Sequence, residues 1–132
     1  MTFQEKLTVF KWRNHFRVRK WMYNSKPLSY TEHKSFLKTL SNPYFLVKEN
    51  DKAIGVVNLK NNDIGLFANP HLKGRGKTLL KAVMENFTLP KFRVEVFYNN
   101  KRAVKLYKKF GFKKSGKKRV GGRRVFVMER IK

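Results

Sequence analysis

The 132 residues predict one domain of α/β (α+β) class, a mixed, mostly antiparallel twisted sheet flanked by helices. Three apolar runs between Tyr44 and Ala68 are separated by connections so short that the strands must be sequential antiparallel neighbours. Residues 64–87 read as strand, glycine-containing loop and helix, with a further strand after Pro90. Two final runs flank Gly121-Gly122 and close the chain as a hairpin.

The elements follow in order. Residues 4 to about 14 are expected to form a helix with Phe3, Leu7 and Phe10 on one stripe, ending at Trp12-Arg13-Asn14-His15. The cluster Trp21-Met22-Tyr23 precedes Pro27; core packing and a place at a site are both open to it. Ser29-Tyr30-Thr31-Glu32 has the capping-box pattern and opens a second helix to about Leu40. It turns Phe36, Leu37 and Leu40 inward and carries His33 in its first turn. Strands are expected at 44–48 and 53–60, around the turn at 49–52, and at 64–68 after Asn61-Asn62. Asn69-Pro70 stops the third strand, because proline removes a ladder donor and restricts the residue before it. Leu79, Leu80, Val83, Met84 and Phe87 mark the central helix, closed by Pro90. Residues 92–97 form a strand with Glu95 at its middle. Asn99-Asn100 leads into a helix with Ala103, Leu106, Tyr107 and Phe110 on one face and Gly111 as its C-cap. The closing hairpin spans 113–119 and 123–131; its dense basic run reads as a solvated edge that discourages aggregation.

Composition narrows the chemistry. With no cysteine, thiol catalysis, disulfides and thiolate metal sites are excluded, and the cytoplasm is the compartment expected. Histidines stand apart at 15, 33 and 71, so no zinc site is expected. No window approaches the roughly 18 apolar residues of a membrane span, and the N-terminus lacks a signal-peptide pattern. The net charge of +24 attracts anions. A nucleic-acid partner and a lysine-rich solvated surface are both readings of it. It disfavours polycationic acceptors, which need an acidic cleft that eight carboxylates hardly supply. A small-molecule ligand is therefore expected to be anionic.

The loop at 69–77 has the chemistry to hold one. A loop entering a helix presents unpaired amides and the positive end of the helix dipole. Gly74 and Gly76 allow close backbone approach, and Lys73, Arg75 and Lys77 add charge. A phosphate or pyrophosphate is the ligand this favours, although an ordinary loop has the same composition.

Two motifs in the second half resemble those of the GNAT superfamily of acyl-CoA N-acyltransferases. The family's loop, Arg/Gln-x-x-Gly-x-Gly/Ala, corresponds to His71-Leu72-Lys73-Gly74-Arg75-Gly76, with His71 departing at the first position. Its Asn-x-x-Ala-x-x-x-Tyr, followed by Gly-Phe, corresponds to Asn100, Ala103, Tyr107 and Gly111-Phe112. In the first half, residues 12–15, 21–23, the helix bearing His33 and Phe36, and 44–47 resemble a narrower group. That group comprises the nucleotide-amino-sugar N-acetyltransferases of pseudaminic acid biosynthesis. Family members carry a strand before the first helix; this chain begins almost inside the helix, so either the true start lies upstream or that edge strand is missing.

The resemblance implies acetyl-CoA as cofactor, an anionic UDP-linked dideoxy amino sugar as acceptor, and direct attack in a ternary complex. It implies strands that splay apart on either side of the cofactor helix, freeing an amide near Leu66 or Phe67 for the thioester carbonyl. Leu66, Phe67, Ala68, Leu72, Lys73, Gly74, Arg75, Gly76, Lys77, Asn100, Ala103 and Tyr107 would then contact coenzyme A. Tyr107 would protonate the leaving thiolate, while core filling is its alternative use. Asn100 would orient the cofactor, cap its helix, or both. Glu95 and His33 are the candidate bases and, with Trp12, Arg13, Met22 and Phe36, candidate substrate contacts. Arg13 suits a diphosphate, or else a helix C-terminus. A protein N-terminal acetyltransferase and a non-catalytic nucleic-acid-binding protein are the rival readings; a monomer or homodimer is expected.

Overall fold

The computed structural model describes residues 2–22, 26–27 and 44–131. The helix expected over 29–40, with His33 and Phe36, lies outside them, as does Tyr23. Thr2 opens α1 (Phe3–Asn14) with a capping box, its hydroxyl accepting from the Glu5 amide while the Glu5 carboxylate accepts from the Thr2 amide. The buried positions of α1 are Val9, Trp12 and Arg13, which corrects the expected stripe of Phe3, Leu7 and Phe10; Phe3 is 65% exposed. Apolar residues are spread around this helix, so periodicity alone picks no face. Contact with Val56 on the sheet makes the choice. A second short helix not expected from periodicity, α2 (Phe16–Arg19), starts where the His15 Nδ1 accepts from the Arg17 amide.

Six strands form one sheet in the order β1-β2-β3-β4-β6-β5. Strands β1 (Tyr44–Glu49), β2 (Lys52–Lys60) and β3 (Asp63–Ala68) run antiparallel through tight turns. Asn50, Asp51 and Asn61 take positive φ in those turns, where short polar side chains tolerate it. Helix α3 (Gly76–Asn86) then crosses to β4 (Lys91–Phe97), which runs parallel to β3. Helix α4 (Lys101–Lys109) leads to the hairpin of β5 (Lys113–Val120) and β6 (Arg123–Ile131), with β6 against β4 and β5 at the edge. Gly121 and Gly122 both have positive φ, the requirement of a two-residue type I′ turn. No strand precedes α1 among the described residues.

The sheet separates two apolar clusters. Leu79, Leu80 and Val83 of α3 and Val104 and Tyr107 of α4 pack with Ile64, Val94, Val96 and Met128 on one side. Val9 and Trp12 of α1 pack with Val56, beside Leu46 and Phe67, in the other. One close approach fixes α3 on the sheet. A Cβ at Gly55 would lie 2.6 Å from the Leu79 Cδ1 and 2.8 Å from the Phe67 carbonyl oxygen.

The contact between Gly55 and Leu79 gives a stability prediction. Gly55→Ala should cost about 1–3 kcal/mol by overpacking, and Leu79→Ala about 2–5 kcal/mol by cavity formation. The double variant should lose less than the sum, because removing the leucine methyls relieves part of the clash. Additive losses in urea unfolding would contradict this packing.

Candidate active site

Strands β3 and β4 pair at a single position, Asp63 opposite Arg93, and then part. The Arg93 amide donates to the Asn62 carbonyl at 2.7 Å, and the Arg93 side chain joins Asp63 at 2.9 Å and Glu95 at 2.7 Å. This is the splay expected beside the cofactor helix. Backbone parity shows what it exposes. The Asn69 amide donates to Ile54 on the β2 side, while the Asn62 carbonyl faces β4. Alternation along the strand therefore turns the amides of Leu66 and Ala68 toward the gap and that of Phe67 toward β2. Beyond the Asp63 pairing, β4 offers the Leu66 and Ala68 amides no ladder partner. Of the two positions expected to free an amide, Leu66 has this geometry and Phe67 does not.

The loop after β3 is folded by Asn69. Its Oδ1 accepts from the His71 amide at 2.9 Å, and its carbonyl accepts from the Leu72 amide at 3.0 Å. The His71 ring meets His15 edge-on at 5.5 Å, and Arg17 donates to the Pro70 carbonyl, so α2 lies against the loop. Desolvation, aided by the charges of His71, Arg17 and Arg19, holds the His15 imidazole below its usual pKa. Gly74 has φ +69° with open space around it, and helical bonding begins only with the Leu79 amide donating to the Arg75 carbonyl. Among the described residues, the amides of 73–78 meet no acceptor. The Arg75 Nε is buried without a partner while its Nη1 donates to the Lys73 carbonyl. Free amides, a helix N-terminus and an orphaned guanidinium nitrogen together fit an anionic group. Beside them a groove of ≈ 480 Å³ runs between α3 and α4, lined by Lys77, Arg102, Lys105, Leu106, Lys109 and Phe110. Its apolar floor and four cations suit a ring system carrying phosphate.

Helix α4 is capped by Asn100, whose Oδ1 accepts from the Ala103 amide at 3.3 Å. That cap points Ala103 and Tyr107 to the core side of the gap, in one cluster with Leu66, Ala68, Val94 and Val96. Tyr107 is 7% exposed, its ring 5.6 Å from Phe112, and burial pushes its phenol up to about 12. On the opposite face of β4, Glu95 is held by Arg93 and by Lys118 at 2.8 Å. Trp12 and Arg13 are both buried in α1, Trp12 within the cluster around Val9 and Val56. Met22 is half-buried after α2, its amide donating to Arg19. The groove cations on α4 went unrecognised in the sequence. Their spacing at 102, 105 and 109 on one helical face was the available signal.

The model of the acetyltransferase (GNAT) family matches residues 7–112. Acetyltransferase PseH of Campylobacter jejuni subsp. jejuni serotype O:23/36 (strain 81-176) is 36% identical over 122 residues, covering 83% of this chain and 77% of that protein. A spermine/spermidine N(1)-acetyltransferase of Bacillus subtilis (strain 168) is 34% identical over 61 residues, 43% of this chain and 40% of the other. The crystal structure of Campylobacter jejuni N-acetyltransferase PseH in complex with acetyl coenzyme A superposes with a TM-score of 0.74 and 26% identity. It covers 100% of this chain and 93% of that one. The spermidine N-acetyltransferase of Vibrio cholerae, in complex with CoA and spermine, shares the fold at TM-score 0.81 and 21% identity, covering 99% and 92%. The chain is thus an acetyl-CoA-dependent N-acetyltransferase and belongs to the acetyltransferase (GNAT) family.

Proposed function

We propose that the acceptor is the 4-amino group of a UDP-linked dideoxy amino sugar, in pseudaminic acid biosynthesis, and that the chain works in the cytoplasm. The observation that carries this reading is the likeness to PseH over 83% of the chain, together with a charge that selects an anionic acceptor. No helix among the described residues is long and apolar enough to cross a membrane.

Acetyl-CoA supplies an acetyl thioester. In this reading the amides of residues 73–78 receive its diphosphate, and the groove of Lys77, Arg102, Lys105 and Lys109 receives the nucleotide end. The Leu66 amide, aimed into the gap between β3 and β4, takes the thioester oxygen, a contact worth about 3 kcal/mol in such sites. Tyr107, whose phenol stays protonated at neutral pH, donates the proton that the departing sulfur needs. Glu95, paired with Arg93 and Lys118, holds the acceptor amine or takes its proton through water. The surrounding cations lower the amine's own pKa, so a strong base is unnecessary.

The reading is tested by thiol release and mass spectrometry with a panel of UDP-amino sugars. Acetylation confined to free polyamines or peptides would contradict it. Tyr107→Phe should lower kcat about 100-fold or more with acetyl-CoA affinity unchanged, since general acid catalysis is typically worth about 10²–10⁴. Burial favours the neutral phenol, so its contribution to stability is complete below pH 10 and is lost as pH rises from 10 towards 12. An ultraviolet titration should find Tyr107 among the last tyrosines to ionise. Arg102→Ala/Lys105→Ala should raise the KM for acetyl-CoA roughly ten-fold, about 1.4 kcal/mol, and leave kcat within two-fold. An unchanged KM would remove the groove from the binding site.

A further inference from the structure

A second cleft, of ≈ 450 Å³, lies where β4 ends, lined by Tyr98, Asn99, Arg119, Gly122, Arg123 and Arg124. Resting on the reading of a nucleotide-linked acceptor, we propose that this cleft grips the acceptor's diphosphate. Its arginines would fix where the sugar amine lies.

The hairpin register puts Arg119 directly opposite Arg124. Like charges facing across strands are destabilising, and none of the ion pairs among the described residues includes Arg119, Arg123 or Arg124. From Val96 to Met128 the chain carries 12 Lys/Arg and no Asp or Glu, so no carboxylate of that segment relieves the pair. A bound anion would. The site is also stiffened in advance. The Arg123 guanidinium stacks 3.5 Å from the Phe97 ring centroid and donates to the Lys20 carbonyl at 3.2 Å. A planar guanidinium anchored in this way keeps its remaining N–H groups for phosphate oxygens. The glycine turn at 121–122 fixes the tip from which Arg123 and Arg124 project.

Tyr98 is 49% exposed, with Arg124 5.8 Å from its ring, and offers a face to a sugar or base. It stands just past the end of β4, beside Arg124 of the hairpin. Lys118, next to Arg119 on β5, already ties the hairpin to Glu95.

The test uses UDP as probe and then the UDP-amino sugar that turns over. Arg119→Ala/Arg124→Ala should weaken UDP binding by calorimetry at least ten-fold and raise the acceptor KM to match. Its kcat, acetyl-CoA KM and melting temperature should stay near wild type. Lys113→Ala/Lys117→Ala removes the same charge from the same strand outside the cleft, and should shift UDP affinity less than two-fold. Equal effects of the two variants, or unchanged acceptor KM in the arginine variant, would overturn the cleft while leaving the sugar acetyltransferase reading intact. Arginine-dependent UDP binding without turnover of any UDP-amino sugar would support the cleft and sink that reading instead.

Discussion

The site depends on one interrupted ladder. Strands β3 and β4 pair in a ladder only at Asp63 and Arg93, and Arg93 clamps that vertex through its amide and its side chain. A fully paired parallel ladder would consume the Leu66 and Ala68 amides in the sheet. The interruption instead leaves polar backbone beside an apolar cluster, donors that water or a ligand must take up. Helix α3, set on β2 by the absence of a side chain at Gly55, brings its loop of free amides to the end of that gap. Helix α4, capped by Asn100, brings Tyr107 to its side.

Charge works along the same line. Most carboxylates of the described residues are already committed to cations: Glu5 to Lys48, Glu85 to Lys81, Glu129 to Lys91, and Asp63 and Glu95 to Arg93. The remaining positive charge is not spread evenly. It gathers on the exposed face of α4 and on the β5–β6 hairpin. Two anionic substrates approaching a single gap would repel each other; separate cationic cradles let both be held at once.

Much of the fold was legible because its signals are local. Short turns, Asn69-Pro70, the glycine loop and the Gly121-Gly122 turn each act within a few residues, and strands and helices fell where these marked them. The face of α1 was not legible, because apolar side chains surround that helix and only Val56, distant in sequence, selects Val9 and Trp12. Nor was α2, a single turn held by the His15 cap. The site divides in the same way. Asn100, Ala103 and Tyr107 are readable from spacing on one helix, whereas the choice of the Leu66 amide over that of Phe67 needs the pairing register between strands. Arginines 119 and 124 looked like part of a solvated edge until the hairpin register set them face to face.

The most direct measurement is amide hydrogen exchange, residue by residue, with and without acetyl-CoA. The account predicts that the amides of Leu66 and Ala68 and those of residues 73–78 exchange quickly in the free protein, while Phe67 is protected by β2. Acetyl-CoA should then protect Leu66 and the loop together and leave Phe67 unchanged. Protection of Leu66 already present in the free protein, or an acetyl-CoA complex that leaves Leu66 and residues 73–78 exchanging as before, would contradict it.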